Sequence, residues 1–289
     1  RCAAPAPRRG ARVKLRGGRG VRVRRSVDGF VVELADTGAG GVGPAGPPGA
    51  DGADGADGAA GADGADGADG ADGRVDPEVV LDVYEDFGRG VQQVTAFESG
   101  TGAATAAQPG ETTAPGIAQS TTGTTATGYA GCWLFAADSI VFGSGVWRGK
   151  LRIRVANLST AAQRYAVQVG FFDTPSTNVQ GDGAYLMYEE SVSANWRTIT
   201  VQGAASTANT SSVAVGQNVW IRVEVVVNAA ASSVEYFVDG VSLGTHTTNI
   251  PTGTQKTGFG FRIHKSVGTT ARTLAVDYLH ARCEFTSAR

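Results

Sequence analysis

Alternation of apolar and polar positions dominates the second half of the chain. Leu151-Arg152-Ile153-Arg154-Val155 and Ile221-Arg222-Val223-Glu224-Val225 each keep a period of two, which puts one strand face in a core and the other in water. Strand-forming runs recur at 132–136, 139–142, 151–156, 165–172, 184–190, 196–202, 219–227, 234–238, 258–263 and 274–285. Asp239-Gly240 between Tyr236-Phe237-Val238 and Val241-Ser242-Leu243 is the signal of a two-residue hairpin. Residues 98–130 are rich in Thr, Gly and Ala and read as loop with irregular edge strands. No helical period interrupts the set, so residues 92–289 are expected to form an antiparallel β-sandwich head.

A different period precedes it. Val80, Val83, Tyr84 and Phe87 recur at i, i+3, i+4 and i+7, after Asp76-Pro77-Glu78, a cap followed by a first-turn proline. Gly88 and Gly90 supply a stop. The spacing predicts a short helix within residues 74–91. A helix of about eleven residues is marginal alone in water. Two partners are open to its apolar face: the same helix in two other chains, as a trimerisation clamp, or its own head.

Between Gly40 and Gly73 glycine occupies every third position through eleven triplets. A strict Gly-X-Y phase is the requirement of the collagen triple helix, because only glycine fits at the axis where three chains crowd. Residues 40–73 are therefore expected to be a collagen-like stalk of roughly 100 Å, and the chain a homotrimer. The competing reading of the stretch is an acidic linker. Residues 1–39 form a base: Val21-Arg22-Val23-Arg24, a turn signal at Asp28-Gly29 and Phe30-Val31-Val32-Glu33-Leu34 read as a short hairpin.

Charge is segregated. The net charge is −2, yet residues 1–27 carry ten basic residues and no acid, and the stalk carries seven Asp and no base. The basic run reads as an anchor for an acidic partner or as a solvated tail. Nucleic acid is a weaker match, since no aromatic is interleaved for stacking. Cys2, Cys132 and Cys283 have neither disulfide-framework nor metal-ligand spacing, and His246, His264 and His280 are scattered. No cofactor, metal or membrane span is implied. Glu189-Glu190 is the sole adjacent acid pair in the head; strand neighbours face opposite ways, so no hydrolytic carboxylate pair is expected. Sugar sites combine aromatic faces with Asp, Asn and Arg, which singles out Asp173, Asp182, Tyr185, Tyr188, Asn195, Trp196 and Arg272 as candidate carbohydrate or receptor contacts. Large aromatics are equally at home in a core.

Phe171-Phe172-Asp173, Asn195-Trp196, Tyr236–Gly240, Thr248-Asn249-Ile250-Pro251, Lys265–Arg272 and Asp277-Tyr278 fall in an order that resembles the concanavalin-like (lectin/glucanase-type) jelly-roll heads of tailed-bacteriophage fibres. The resemblance loosely covers residues 92–289, and each motif alone is weak. It implies a trimeric, non-enzymatic virion fibre. Its base would dock on other virion proteins, and its head on a host surface glycan or receptor. A capsid-decorating head fibre and a cellular collagen-like surface filament share the layout. In such heads the first and last strands lie side by side, which would bring Cys132 and Cys283 within about 7 Å as reduced, buried thiols.

Overall fold

The computed structural model describes the backbone of residues 21–26 and 29–34, and residues 78–288 apart from 92 and 177–179. The chain divides into two units, Arg1–Gly67 and Ala68–Arg289. In the first, β1 (Val21–Ser26) pairs antiparallel with β2 (Gly29–Leu34), from Val21↔Leu34 to Ser26↔Gly29, as the alternation predicts. The Gly-X-Y segment lies outside the described residues.

Every regular element described in the second unit is a β-strand. In chain order they are β3 (Val80–Glu85), β4 (Thr95–Ser99), β5 (Ala103–Gln108), β6 (Ile117–Thr122), β7 (Tyr129–Ile140), β8 (Gly145–Val155), β9 (Tyr165–Phe172) and β10 (Gly183–Glu189). There follow β11 (Ser193–Gln202), β12 (Ala205–Ala214), β13 (Trp220–Val227), β14 (Val234–Val238), β15 (Val241–His246), β16 (Thr257–Lys265) and β17 (Thr273–Phe285). They build two sheets. One has seven strands in the order β12-β11-β10-β9-β16-β7-β4; the other runs β15-β14-β13-β8-β17-β6-β5, with β3 also paired to β17. Alternate residues of β8, β13 and β17, among them Leu151, Ile153, Val223, Val225 and Leu279, meet Val167, Val169, Phe171, Leu186, Phe259 and Phe261 of the other sheet in one core. Phe171 sits at its centre, edge-on to Phe142 and Trp147 and tilted against Phe259.

The expected helix at 74–91 is not formed among its described residues, which start at 78. Residues 80–85 are β3, antiparallel to the final strand from Leu279↔Glu85 to Glu284↔Val80. The segment Val-Val-Leu-Asp-Val-Tyr is β-branched and aromatic, and the free edge of β17 offers its backbone a ladder that an isolated short helix lacks. The four residues assigned to a clamp face separate accordingly. Val80 and Val83 are half-buried, Tyr84 is 55% exposed, and Phe87 enters the head's core at 2% exposure. Phe87 takes a left-handed φ of 56°; its N–H donates to Glu85 Oε1 at 2.6 Å and its carbonyl accepts Gly90 N–H at 2.9 Å. The head thus begins at β3 rather than at residue 92.

Other differences follow from local geometry. The runs expected at 132–136 and 139–142 form one strand, β7, kinked at Asp138 (φ 66°), with register shifts against β16. The Thr-rich stretch holds two regular strands, β5 and β6, and polar β12 escapes the alternation rule because it is an edge with little to bury. First and last strands do pair, but the first is β3. Cys132 lies on β7 of the seven-stranded sheet and Cys283 on β17 of the other, so the two are buried on opposite sheets and their strands are not partners.

Candidate functional site

The seven-stranded sheet has a second apolar face, away from the core. Along β10, Ala184, Leu186 and Tyr188 turn inward while Tyr185, Met187 and Glu189 turn outward. Along β11, Trp196 faces the core and Arg197, Ile199 and Val201 face out with them. These residues floor an open hollow of about 300 Å³. Glu189 and Arg197 close one end with an ion pair at 3.7 Å, Gln180 lies at the margin, and Ser206 and Ala208 of edge strand β12 form the far wall.

Beside one flank of that face lie Asp173, Gly181 and Asp182, which hydrogen bonds draw together. The carboxylate of Asp173 accepts the N–H groups of Gly181 (3.2 Å) and Asp182 (3.0 Å). A Cβ on Gly181 would come within 2.6 Å of Asp173 Oδ2, so a side chain there would require that carboxylate to shift. Asp182 in turn accepts Gly203 N–H at 2.9 Å, and Ala204 N–H donates to Gly181 O at 2.8 Å, tying this loop to the β11–β12 turn. Beneath it Arg262 is buried, donating to Pro175 O and to Gln168 Oε1, with its guanidinium 5.9 Å from the Phe172 ring centre. Phe172 packs on Trp133 at 4.1 Å, and Trp133 on Phe97 at 5.2 Å.

Burial sets the electrostatics here. It raises the Asp173 carboxyl above its ordinary range even though two backbone N–H groups favour the anion. It lowers Arg262 to about 10 and pushes the Tyr185 hydroxyl up. Among the described residues no group of three His, Cys, Asp or Glu side chains is placed to hold a metal ion.

Of the seven residues singled out from sequence, three meet here: Tyr185 on the floor, and Asp173 and Asp182 in the loop beside it. The others do not. Trp196 and Tyr188 have the opposite strand parity and are core residues, Tyr188 accepting Ser159 N–H at 3.0 Å. Asn195 donates to Ser211 O at 2.8 Å, across the bulge that joins β11 to β12. Arg272 is engaged through its backbone with Thr122, close enough to Tyr165 at the other end of β9 to act on that hydroxyl. Met187, Arg197, Ile199 and Val201 were not singled out. A period of two from Tyr185 groups Met187 and Glu189 with it, and along β11 the same period groups Arg197, Ile199 and Val201 with one another on the face opposite Trp196.

Comparison with curated proteins gives no match. Among solved structures, protein SO2946 of Shewanella oneidensis MR-1 aligns at a TM-score of 0.55 and 14% identity, over 73% of this chain and 89% of that one. An endo-1,3-β-glucanase from Streptomyces sioyaensis gives 0.48 and 13% over 73% and 98%, and the Emp47p carbohydrate recognition domain 0.45 and 8% over 66% and 88%. The first of these shares the sandwich fold. Residues 113–277, more than half of the chain, match the family described as SO2946-like, C-terminal domain, and the chain belongs to that family.

Proposed function

We propose that this chain is one of three subunits of an adhesive fibre on a bacteriophage particle, with the sandwich as its distal, sugar-binding head. The observation behind the reading is a run of eleven unbroken Gly-X-Y triplets leading into a β-sandwich whose second face is hollowed. The basic segment 1–39 holds the fibre to the particle, the stalk sets the reach, and the head meets a glycan on the host surface. Tyr185, Met187 and Ile199 give the hollow an apolar floor, while Glu189, Arg197 and Ser206 offer donors and acceptors for hydroxyls. Binding rather than hydrolysis is the reading because the residues lining the hollow bring one carboxylate, Glu189, and Arg197 lies 3.7 Å from it. Glycosidic cleavage ordinarily takes two carboxylates flanking the bond.

The test is a glycan array probed with the full chain, followed by calorimetry on the sugars retained, for the native protein and for Ser206→Trp. Ser206 is exposed on an edge strand, so an indole there fills the hollow without entering the core. We expect Ser206→Trp to lose at least ten-fold in affinity. Retention of no glycan, or equal binding by the variant, would overturn the assignment.

A further inference from the structure

The opposite face of the molecule, the outer side of the eight-stranded sheet, has an arrangement that the hollow above does not use. Strand β8 turns Arg148, Lys150, Arg152 and Arg154 outward, all on one face. In register across the sheet, Arg152 stands between Arg222 of β13 and Tyr278 of β17, and Lys150 between Glu224 and His280. Tyr84 of β3 stands beyond His280, and Phe237 of β14 beyond Glu224. Five strands at ~4.8 Å spacing carry this strip over roughly 19 Å. Tyr84 and Tyr278 stack at 5.7 Å with planes 29° apart, and Tyr84 stays 55% exposed. Beside Tyr278 lies a hollow of about 280 Å³ bordered by Lys150, Arg222, Glu224, Phe237 and Asp239.

The acids near this strip are engaged with its other groups. Glu224 lies 3.5 Å from Arg148 and 3.4 Å from Lys150; Asp277 lies 2.8 Å from Arg152; Glu111 lies 2.7 Å from Arg154. Asp239 accepts the backbone N–H of Arg222 at 2.8 Å. Among the described residues no carboxylate forms an ion pair with the Arg222 guanidinium, although its partner directly across the ladder is another arginine. Like charges directly opposed destabilise a sheet. An anion seated at Arg222 would offset that repulsion and take charge-assisted, two-pronged hydrogen bonds.

We propose that this strip is a second carbohydrate site, selective for sugars that carry a carboxylate. Tyr84, Tyr278 and Phe237 present ring faces and edges on which the apolar faces of pyranoses pack. Arg222 takes the carboxylate, and Lys150 holds its neighbouring hydroxyls. The site is independent of the hollow on the seven-stranded sheet, since the two lie on opposite outer faces of the sandwich.

Calorimetry on the full chain with tetragalacturonate, its methyl ester and inorganic sulfate tests this, using Arg222→Gln, Tyr84→Ala and Ser206→Trp. Both strip residues are exposed, so the variants should fold, with circular dichroism as the check. Tetragalacturonate should bind the native chain and Ser206→Trp alike, and weaken about ten-fold or more in Arg222→Gln. Tyr84→Ala should weaken it several-fold, and the methyl ester should bind as poorly as Arg222→Gln does. Absence of tetragalacturonate binding, unchanged affinity in Arg222→Gln, or sulfate binding as tightly as the tetrasaccharide would each overturn the proposal. Loss in Ser206→Trp alone would place the sugar in the first hollow instead. Failure of the array test leaves this experiment standing, because that test turns on Ser206→Trp losing affinity, whereas this one turns on Arg222→Gln losing it while Ser206→Trp keeps it.

Discussion

His264 makes a residue-scale prediction possible. It lies on β16, half-buried, beside buried Arg262, and hydrogen-bonds to the backbone of Ala166. Burial first, and the Arg262 charge second, lower its pKa from 6.5 to about 3. His246, set between Thr198 and Thr200 at 2.9 Å from each, is also lowered by burial. A base with a depressed folded pKa is neutral in the native state while the unfolded chain takes up its proton. Between those two values the unfolded state binds more protons, so stability falls as pH falls. Full stability is thus expected above about pH 6.5, with a progressive loss toward pH 3. Asp173, whose carboxyl is raised, acts in the opposite direction over the acidic end of that range. The histidine share is read by difference: thermal unfolding of His264→Gln should depend less steeply on pH between 7 and 4 than that of the native chain. Parallel slopes would show that His264 takes up its proton in the fold without penalty.

At the scale of elements, β3 decides where the head begins. Its ladder to β17 closes one edge, and on the outer face Asp82 lies 2.6 Å from His280 and 3.4 Å from Arg282. Just beyond it, Phe87 fills the core at 2% exposure with its backbone in the left-handed region. Phe87→Ala should therefore destabilise the head by about 3–5 kcal/mol, the range for emptying a buried aromatic site. Chemical denaturation followed by tryptophan fluorescence measures it, because the indoles of Trp147 and Trp196 belong to the same core. A helical clamp between chains would give a different result, loss of subunit association with the head's stability intact. The local helical period at Val80, Val83, Tyr84 and Phe87 was genuine. The open edge of a thirteen-residue strand outweighed it.

For the whole molecule, the Gly-X-Y phase makes the strongest demand. With residues 80–85 engaged within their own head, the Gly-X-Y run of residues 40–73 is left as the sequence feature on which the proposed trimer rests. Light scattering on the full chain should give three times 29.5 kDa, and removal of residues 40–73 should leave 21–39 joined to a monomeric head. The seven Asp of residues 40–73, with no local cation, set a further condition, since the proposed parallel packing of three chains would bring like charges together. The collagen signal in circular dichroism should melt at higher temperature in 0.5 M salt than in 0.05 M salt, as screening shortens the reach of that repulsion from about 14 Å to about 4 Å. An unchanged melting point would mean that the carboxylates are already neutralised.

The sequence alone determined which residues could form strands, because alternation along β8 and β13 and the Asp239-Gly240 turn depend only on neighbours a few positions apart. It also determined the sandwich class, and it brought Asp173, Asp182 and Tyr185 into one list. What it left open was phase and partner. Tyr185 and Tyr188 look equivalent in sequence, yet their odd spacing sends one to the outer hollow and the other to the core, and only the sheet's position settles which. Val80 to Glu85 satisfies a helix as well as a strand until β17, nearly two hundred residues later, supplies an edge. The strip of Tyr84, Tyr278, Lys150 and Arg222 draws on four strands scattered through the chain. Local pattern is a property of short range; which face is wet, and which distant residues share it, is a property of packing, and only the tertiary structure decides it.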